Sequence, residues 1–337
     1  MMIDLRSDTV TRPSKEMKAK MFDAKLGDDV FEDDPTVKEF ENRTASLFGK
    51  EEGLFCPSGT MSNQIALMIH LKPGDEVICS RESHIYNYEG GGIARNAGAS
   101  VRLIERSNGL INVDDIKENI NPDDIHYPIT KLVALENTCN RGGGNCYDIN
   151  EVEKINEFCL KNNLPMHLDG ARLFNALVKN NEKALIWGSY FDSISLCFSK
   201  GLGTPMGSVL IGSKDFIHKA RRVRKVLGGG MRQVGMVAAA GLYALDNNID
   251  RLKNDHINAE IIGNALANCS WVQSVMPVET NIVVAHLHSK FDNLKFVEKL
   301  KDKGILSIPF GKGRVRMVTH LDISNEEIEK VVDSIKF

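Results

Sequence analysis

The sequence predicts an α/β fold: a large domain on a mainly parallel seven-stranded sheet, followed by a smaller C-terminal α+β domain. Three observations predict it. Seven short apolar segments recur between Gly53 and Gly212, with helical patterns among them. None alternates strictly between apolar and polar residues, as expected of strands buried on both faces of a helix-covered sheet. After residue 247 the pattern changes, so the domains are drawn as 1–247 and 248–337. A chain of 337 residues accommodates one large core and a smaller one.

Asp34-Pro35 opens a helix with a capping side chain and a proline in the first turn, and Val37, Phe40, Leu47 and Phe48 give it one apolar face before Gly49. Gly53 to Cys56 is a short strand and Thr60 to Leu71 a helix. The Lys72-Pro73-Gly74-Asp75 turn then leads into a strand from Glu76 to Ser80. Further strands are expected at Val101–Glu105, Lys131–Glu136, Met166–Asp169, Ser193–Phe198 and Ser208–Gly212, with a helix at Asn150–Asn163. Helices follow from Gly235 to Asn247 and from Arg251 to Asn268. The C-terminal unit reads strand (Asn281–Leu287), helix (Asn293–Lys303), strand (Val315–His320), helix (Glu326–Ile335).

Composition excludes several function classes. A net charge of −3 gives no field suited to nucleic acid or to an anionic membrane. The basic run His218 to Lys225 fits a charged amphipathic helix whose Phe216, Ile217, Ala220 and Val223 face inward. No apolar run approaches the roughly 20 residues that span a bilayer. The N-terminus lacks a basic flank before an apolar core, so no signal peptide is expected. Seven cysteines without a CxxC pair suit reduced thiols and a cytoplasmic location. His84, His126 and His167 lack the spacing of a zinc motif, so no catalytic metal is expected, although an incidental structural cation stays open.

Two strand ends carry chemistry. Met166-His167-Leu168-Asp169-Gly170-Ala171-Arg172 stops at a carboxylate, and Ser195-Leu196-Cys197-Phe198-Ser199-Lys200-Gly201 stops at an amine. Alone, Asp169 equally suits a helix cap and Lys200 an ordinary surface lysine. Together, at the carboxyl ends of strands where open α/β sheets bind ligands, they suit pyridoxal phosphate. Lysine forms the imine, and the carboxylate keeps the pyridine nitrogen protonated. Ser58-Gly59-Thr60 enters a helix and presents N–H groups to a phosphate, a common turn that gains meaning beside a cofactor site. His84 suits either a buried histidine or an imidazole stacked on the cofactor ring and placed as acid or base.

With these motifs in place, the chain resembles the low-specificity L-threonine aldolases of the fold-type-I pyridoxal-phosphate superfamily over nearly its whole length. The resemblance runs through Asp4-Leu5-Arg6-Ser7-Asp8-Thr9, Gly27-Asp28-Asp29-Val30, Leu135-Glu136-Asn137-Thr138, His167 to Arg172, Ser199 to Gly203, Gly228 to Gln233 and Val315 to His320. It implies cleavage of L-threonine and L-allo-threonine to glycine and acetaldehyde, by a homotetramer of dimers that share active sites. It also implies roles: a Schiff base on Lys200, Asp169 on the pyridinium nitrogen, and Gly59 and Thr60 on the phosphate. Ser7, Arg172 and Arg316 would grip the substrate carboxylate, with Arg172 also near the cofactor's phenolic oxygen. His84 would stack on the ring, and His126 would lie near the β-hydroxyl. Arg232 would reach the partner's phosphate, with Lys225 near the entrance. The base is left open among His84, His126 and a water. Cys139 and Phe31 stand where the family often has His and Tyr, and the Gly142–Gly144 loop also departs. A β-eliminating lyase would share Asp169 and Lys200 but release a keto acid. A non-enzymatic binding protein on this scaffold is disfavoured by the intact Lys200, Asp169, Arg172 and Arg316.

Overall fold

The computed structural model describes residues 2–336. Its strands are β1 (Ile3–Asp4), β2 (Glu52–Cys56), β3 (Asp75–Ser80), β4 (Ser100–Ile104), β5 (Ile129–Glu136), β6 (Met166–Gly170), β7 (Ser193–Cys197), β8 (Ser208–Gly212), β9 (Val272–Val275), β10 (Ile282–Leu287), β11 (Ile305–Leu306), β12 (Ile308–Pro309) and β13 (Arg314–Val318). The seven strands expected before residue 213 form one sheet in the order β2-β8-β7-β6-β5-β3-β4. Its pairs are parallel except at β8, which runs antiparallel to both β7 and β2. Every residue of β6, β7 and β8 is buried, which explains their unbroken apolar character.

From β3 the chain steps outward to β4, then returns to β5 on the other side of β3. Strand order therefore reverses between β3 and β5, and crevices form at such reversals beside the strand carboxyl ends. Glu136 ends β5 there, and the short helix His84–Asn87 follows β3.

Asp34 caps the helix Pro35–Leu47 through the N–H groups of Thr36 and Val37. That helix buries Phe40 edge-on against Phe55 of β2 and against Phe198, with ring centroids 5.5 and 4.7 Å apart. Phe198 is thereby anchored two residues before Lys200. Helices at Lys15–Phe22, Val113–Asn119, Leu173–Asn180 and Ala184–Tyr190 were not expected. They are short, and Lys15–Phe22 buries Met17 alone, so it offers little periodicity to read.

In the C-terminal part, β12-β13-β10-β9 form an antiparallel sheet over a separate core around Trp271. The chain's start joins this unit: β1 pairs in parallel with β11, and Ile3 and Leu5 enter the same core. Leu5 O accepts the Val318 N–H at 2.9 Å. This N-terminal strand delivers Ser7 and Asp8 to the crevice. Among the described residues no helix is long and apolar enough to cross a membrane.

Candidate active site

A cavity of about 400 Å³ opens at the carboxyl ends of β5, β6 and β7. Ser7, Thr9, Ala171, Arg172 and Lys200 form its floor, and Ile308 to Gly311 with Arg316 form the side belonging to the C-terminal unit. His84, Tyr88, Glu136, Asn140 and Arg141 close the remaining side.

Lys200 is held by the turn that carries it. Its carbonyl accepts the N–H of Gly203 at 2.8 Å and the hydroxyl of Thr11 at 3.0 Å. Gly203 has a φ of 76°, a conformation that favours glycine. The backbone is fixed, and the amine lines the cavity.

Two arginines share the floor and differ in their partners. Arg172 gives Nε and Nη2 to the two oxygens of Asp8, at 2.7 and 2.6 Å. Burial alone would raise the Asp8 pKa, but the Arg172 guanidinium overrides it and holds Asp8 well below the usual carboxylate range. Asn281 adds a 3.1 Å bond to the same carboxylate. Arg316, 7% exposed, makes no ion pair with a carboxylate among the described residues. It donates to Asn140 Oδ1 at 2.7 Å and to the Arg6 carbonyl at 3.0 Å, and its buried Nε has no partner. Burial, then the nearby Arg172, lowers its pKa to about 10. A buried guanidinium with an unmet donor, facing a cavity, is a site for a carboxylate.

Asp169 is buried at the end of β6, and no lysine or arginine among the described residues forms an ion pair with it. Oδ2 accepts from Asn63 at 2.9 Å and Oδ1 from the Ala171 N–H at 3.2 Å. Asn63 also donates to Glu89 at 2.9 Å, and its carbonyl faces His167 Nε2 at 3.1 Å. Burial drives the His167 pKa down to about 3, so the ring is neutral and serves as a fixed spacer. His84 Nδ1 lies 3.1 Å from Glu89, and polar atoms of His84, Glu89 and Asp169 fall within 4.8 Å of one another. Burial opposes a charge on His84, but the hydrogen bond to Glu89, then Asp169 and Glu136, raise its pKa overall.

Glu136, beside Asp169 on the neighbouring strand, ties two loops together. It accepts the His84 N–H at 2.6 Å and the Asn140 N–H at 2.9 Å. Burial and then repulsion from Asp169 push its pKa up to about 7.

The helix Gly59–His70 starts against β7. Ser58 caps it through the Met61 N–H, and Ser62 reaches Ser195 at 2.6 Å. A side chain at Gly59 would run into Cys197 Sγ. Gly59 and Thr60, in its first turn, have N–H groups without intrahelical partners, the arrangement that receives an anion.

Of the residues singled out from the sequence, Lys200, Arg172, Arg316, Ser7 and His84 line one cavity, with Asp169 directly behind His84. Two stand apart. His126 is 81% exposed and bonded to Asp124. Arg232 pairs with Asp28 at 2.9 Å and lies over the Phe31 ring. Cys139 is buried outside the cavity lining. The sequence reading gave no role to Asp8, Asn63, Tyr88, Glu89, Glu136, Asn140, Arg141 or Phe310. For Asp8 a signal existed: a carboxylate beside Ser7 in a run that already pointed to the site.

A family model described as beta-eliminating lyase matches residues 4–290. The low specificity L-threonine aldolase of Escherichia coli (strain K12) is 42% identical over 333 residues, spanning 98% of this chain and 97% of that protein. The probable low-specificity L-threonine aldolase 2 of Arabidopsis thaliana is 41% identical over 337 residues, spanning 98% and 95%. Two solved structures share the fold. A threonine aldolase of Leishmania major superposes with a TM-score of 0.86 at 22% identity, covering 99% of this chain and 98% of its own. An aspartate aminotransferase of Thermotoga maritima does so at 0.75 and 18%, covering 99% and 91%.

Proposed function

We infer that this chain, which belongs to the beta-eliminating lyase family and within it to the low-specificity L-threonine aldolases, cleaves L-threonine and L-allo-threonine to glycine and acetaldehyde. Its fold is that of the fold-type-I pyridoxal-phosphate enzymes. The observation that carries the reading is a single cavity holding a lysine amine and an arginine with no anionic partner.

The residues fit pyridoxal 5'-phosphate. Lys200 offers the amine that joins its aldehyde carbon, Asp169 a buried carboxylate without a lysine or arginine partner, and Gly59 and Thr60 a helix start for the phosphate. When bound, the cofactor supplies a ring that accepts the electrons of the breaking bond. The chain's own residues do the rest. Arg316, the free edge of Arg172 and Ser7 hold the substrate carboxylate, which fixes the rotation about Cα and so selects Cα–Cβ as the bond to break. His84, held by Glu89, faces the cavity as a base for the β-hydroxyl proton. His126 and Arg232 lie outside their own cavity, so they are assigned to a partner's site, within a homotetramer of dimers. The division at 1–247 and 248–337, with Ile3 and Leu5 at the chain's start packed into the second unit, and a cytoplasmic location belong to the same reading; the seven free thiols suit a reducing compartment.

The test is to incubate the holoenzyme with L-threonine, L-allo-threonine and L-serine and to quantify glycine, aldehyde, keto acid and ammonia. Glycine and acetaldehyde in equal amounts from the first two support the reading. Keto acid and ammonia without glycine replace it with β-elimination.

A further inference from the structure

Tyr88, Arg141 and Phe310 meet in the cavity lining, in addition to the groups assigned to threonine. Arg141 points its Nε at Glu82 and donates from Nη1 to the Tyr88 hydroxyl at 2.6 Å. Its guanidinium lies 5.6 Å from the centre of the Phe310 ring, and that of Arg316 lies 5.1 Å from the same ring. A third guanidinium, that of Arg314, lies 5.5 Å from the ring but does not line the cavity. Of the two that do, Arg316 is the one assigned to a substrate's α-carboxylate, and Arg141 stands further along. The Arg141 side chain is 23% exposed, and its Nη2 has no hydrogen bond among the described residues. The methyl group of threonine gains nothing from such a neighbour. Glu136 lines the same cavity, and burial followed by repulsion from Asp169 raises its pKa, which disfavours a full negative charge beside an incoming anion.

We propose that the site also cleaves β-hydroxy-α-amino acids bearing a second carboxylate on Cβ, of which 3-hydroxyaspartate is the simplest, and that Arg141 receives that carboxylate. The proposal rests on the aldol-cleavage reading above and names a further substrate class for it. The balance needs no co-reactant. The Cα–Cβ bond breaks with its electron pair on the glycine side, and the β-hydroxyl gives up its proton as its carbon becomes the carbonyl of glyoxylate. A proton then returns to Cα to complete glycine. Glu82, at the Nε edge, tempers the Arg141 charge without occupying Nη2.

The experiment compares kcat/KM for 3-hydroxyaspartate, in both L-diastereomers, with that for L-threonine in the holoenzyme, reading glyoxylate and acetaldehyde. Arg141→Met should lower the ratio of the two by about tenfold or more, and Glu82→Gln should raise it several-fold. Binding of L-aspartate, which lacks the hydroxyl and cannot be cleaved, is measured by calorimetry and should weaken in Arg141→Met alongside the ratio. A wild-type enzyme that cleaves threonine but releases no glyoxylate overturns the proposal and leaves the aldolase reading intact. So does an Arg141→Met variant that slows both substrates equally, which would mark the arginine as structural. An enzyme inert toward threonine removes the reading itself and this proposal with it.

Discussion

Asp8 and Arg172 meet across 164 positions of sequence in a buried pair with two hydrogen bonds, and the pair joins the chain's first turn to the end of β6. Its removal tests how far the cavity floor depends on the N-terminal strand. Asp8→Ala leaves a buried guanidinium without a partner and should cost about 3–5 kcal/mol at neutral pH. The sign of the pH dependence follows from the depressed Asp8 pKa. The pair's contribution is fully present above the unfolded carboxylate value near 4 and is lost as pH falls below it. Urea unfolding of both proteins should therefore show a gap at pH 7 that narrows at pH 3. A gap equal at the two pH values rules out the assignment.

Lys200 is the proposed attachment point, and a colour change reads it directly. Wild-type protein mixed with pyridoxal 5'-phosphate and dialysed should stay yellow, whereas Lys200→Ala should lose the visible band and the activity. Its circular dichroism should be unchanged, because the turn is held by the Lys200 carbonyl and not by its amine. A yellow Lys200→Ala protein after dialysis would place the linkage elsewhere.

Arg316 separates substrate binding from cofactor binding. Lysine in its place keeps a charge but loses the planar fork that meets a carboxylate with two parallel bonds. Arg316→Lys should raise KM for threonine by on the order of 100-fold, while the cofactor band is unchanged. A fall in kcat with KM intact would mean that the arginine does not hold the ground-state carboxylate.

The sequence showed the frame of this site and little of its interior. Lys200 and Asp169 were conspicuous because each stands at or just beyond the end of an apolar strand, whereas Arg172 drew its role from the family resemblance alone. Asn63, Glu89 and Glu136 were not, because their meaning lies in partners from other elements: Asn63 on a helix bridges Asp169 and Glu89, and Glu136 accepts from two loops at once. The sheet was readable from buried strands of ordinary length. The pairing of β1 with β11 was hidden, since two-residue strands carry no pattern. His126 and Arg232 show the opposite limit: the resemblance gave them roles, and neither lines the cavity of this chain.

Glu136 offers a pH signature of the opposite sense to that of Asp8. Its pKa is raised to about 7, so between the ordinary carboxylate value and 7 the folded protein binds more protons than the unfolded one. Stability therefore falls as pH rises through that window and stops falling above it. Glu136→Gln removes the titration while facing the same two N–H donors with one fewer acceptor. It should be less stable than wild type at pH 5, and the deficit should narrow by roughly 1–3 kcal/mol at pH 8. Denaturation curves at both pH values check this, and a deficit that grows with pH contradicts it.

Gly59 tests the phosphate cradle through sterics. The helix start lies so close to β7 that an added methyl would meet Cys197 Sγ. Gly59→Ala must therefore shift the first turn away from the strand, moving the N–H groups that receive the phosphate. Cofactor affinity, measured by fluorescence titration of the apoprotein, should weaken by about tenfold, the loss of one charge-assisted hydrogen bond. The double variant Gly59→Ala with Cys197→Ala removes the obstruction and should recover most of that affinity, because the methyl then occupies the space vacated by the sulfur. Recovery separates a displaced cradle from a general loss of stability, since Cys197→Ala alone empties a buried position and cannot strengthen the fold. If the double variant binds no better than Gly59→Ala, the helix start is not where the phosphate is held.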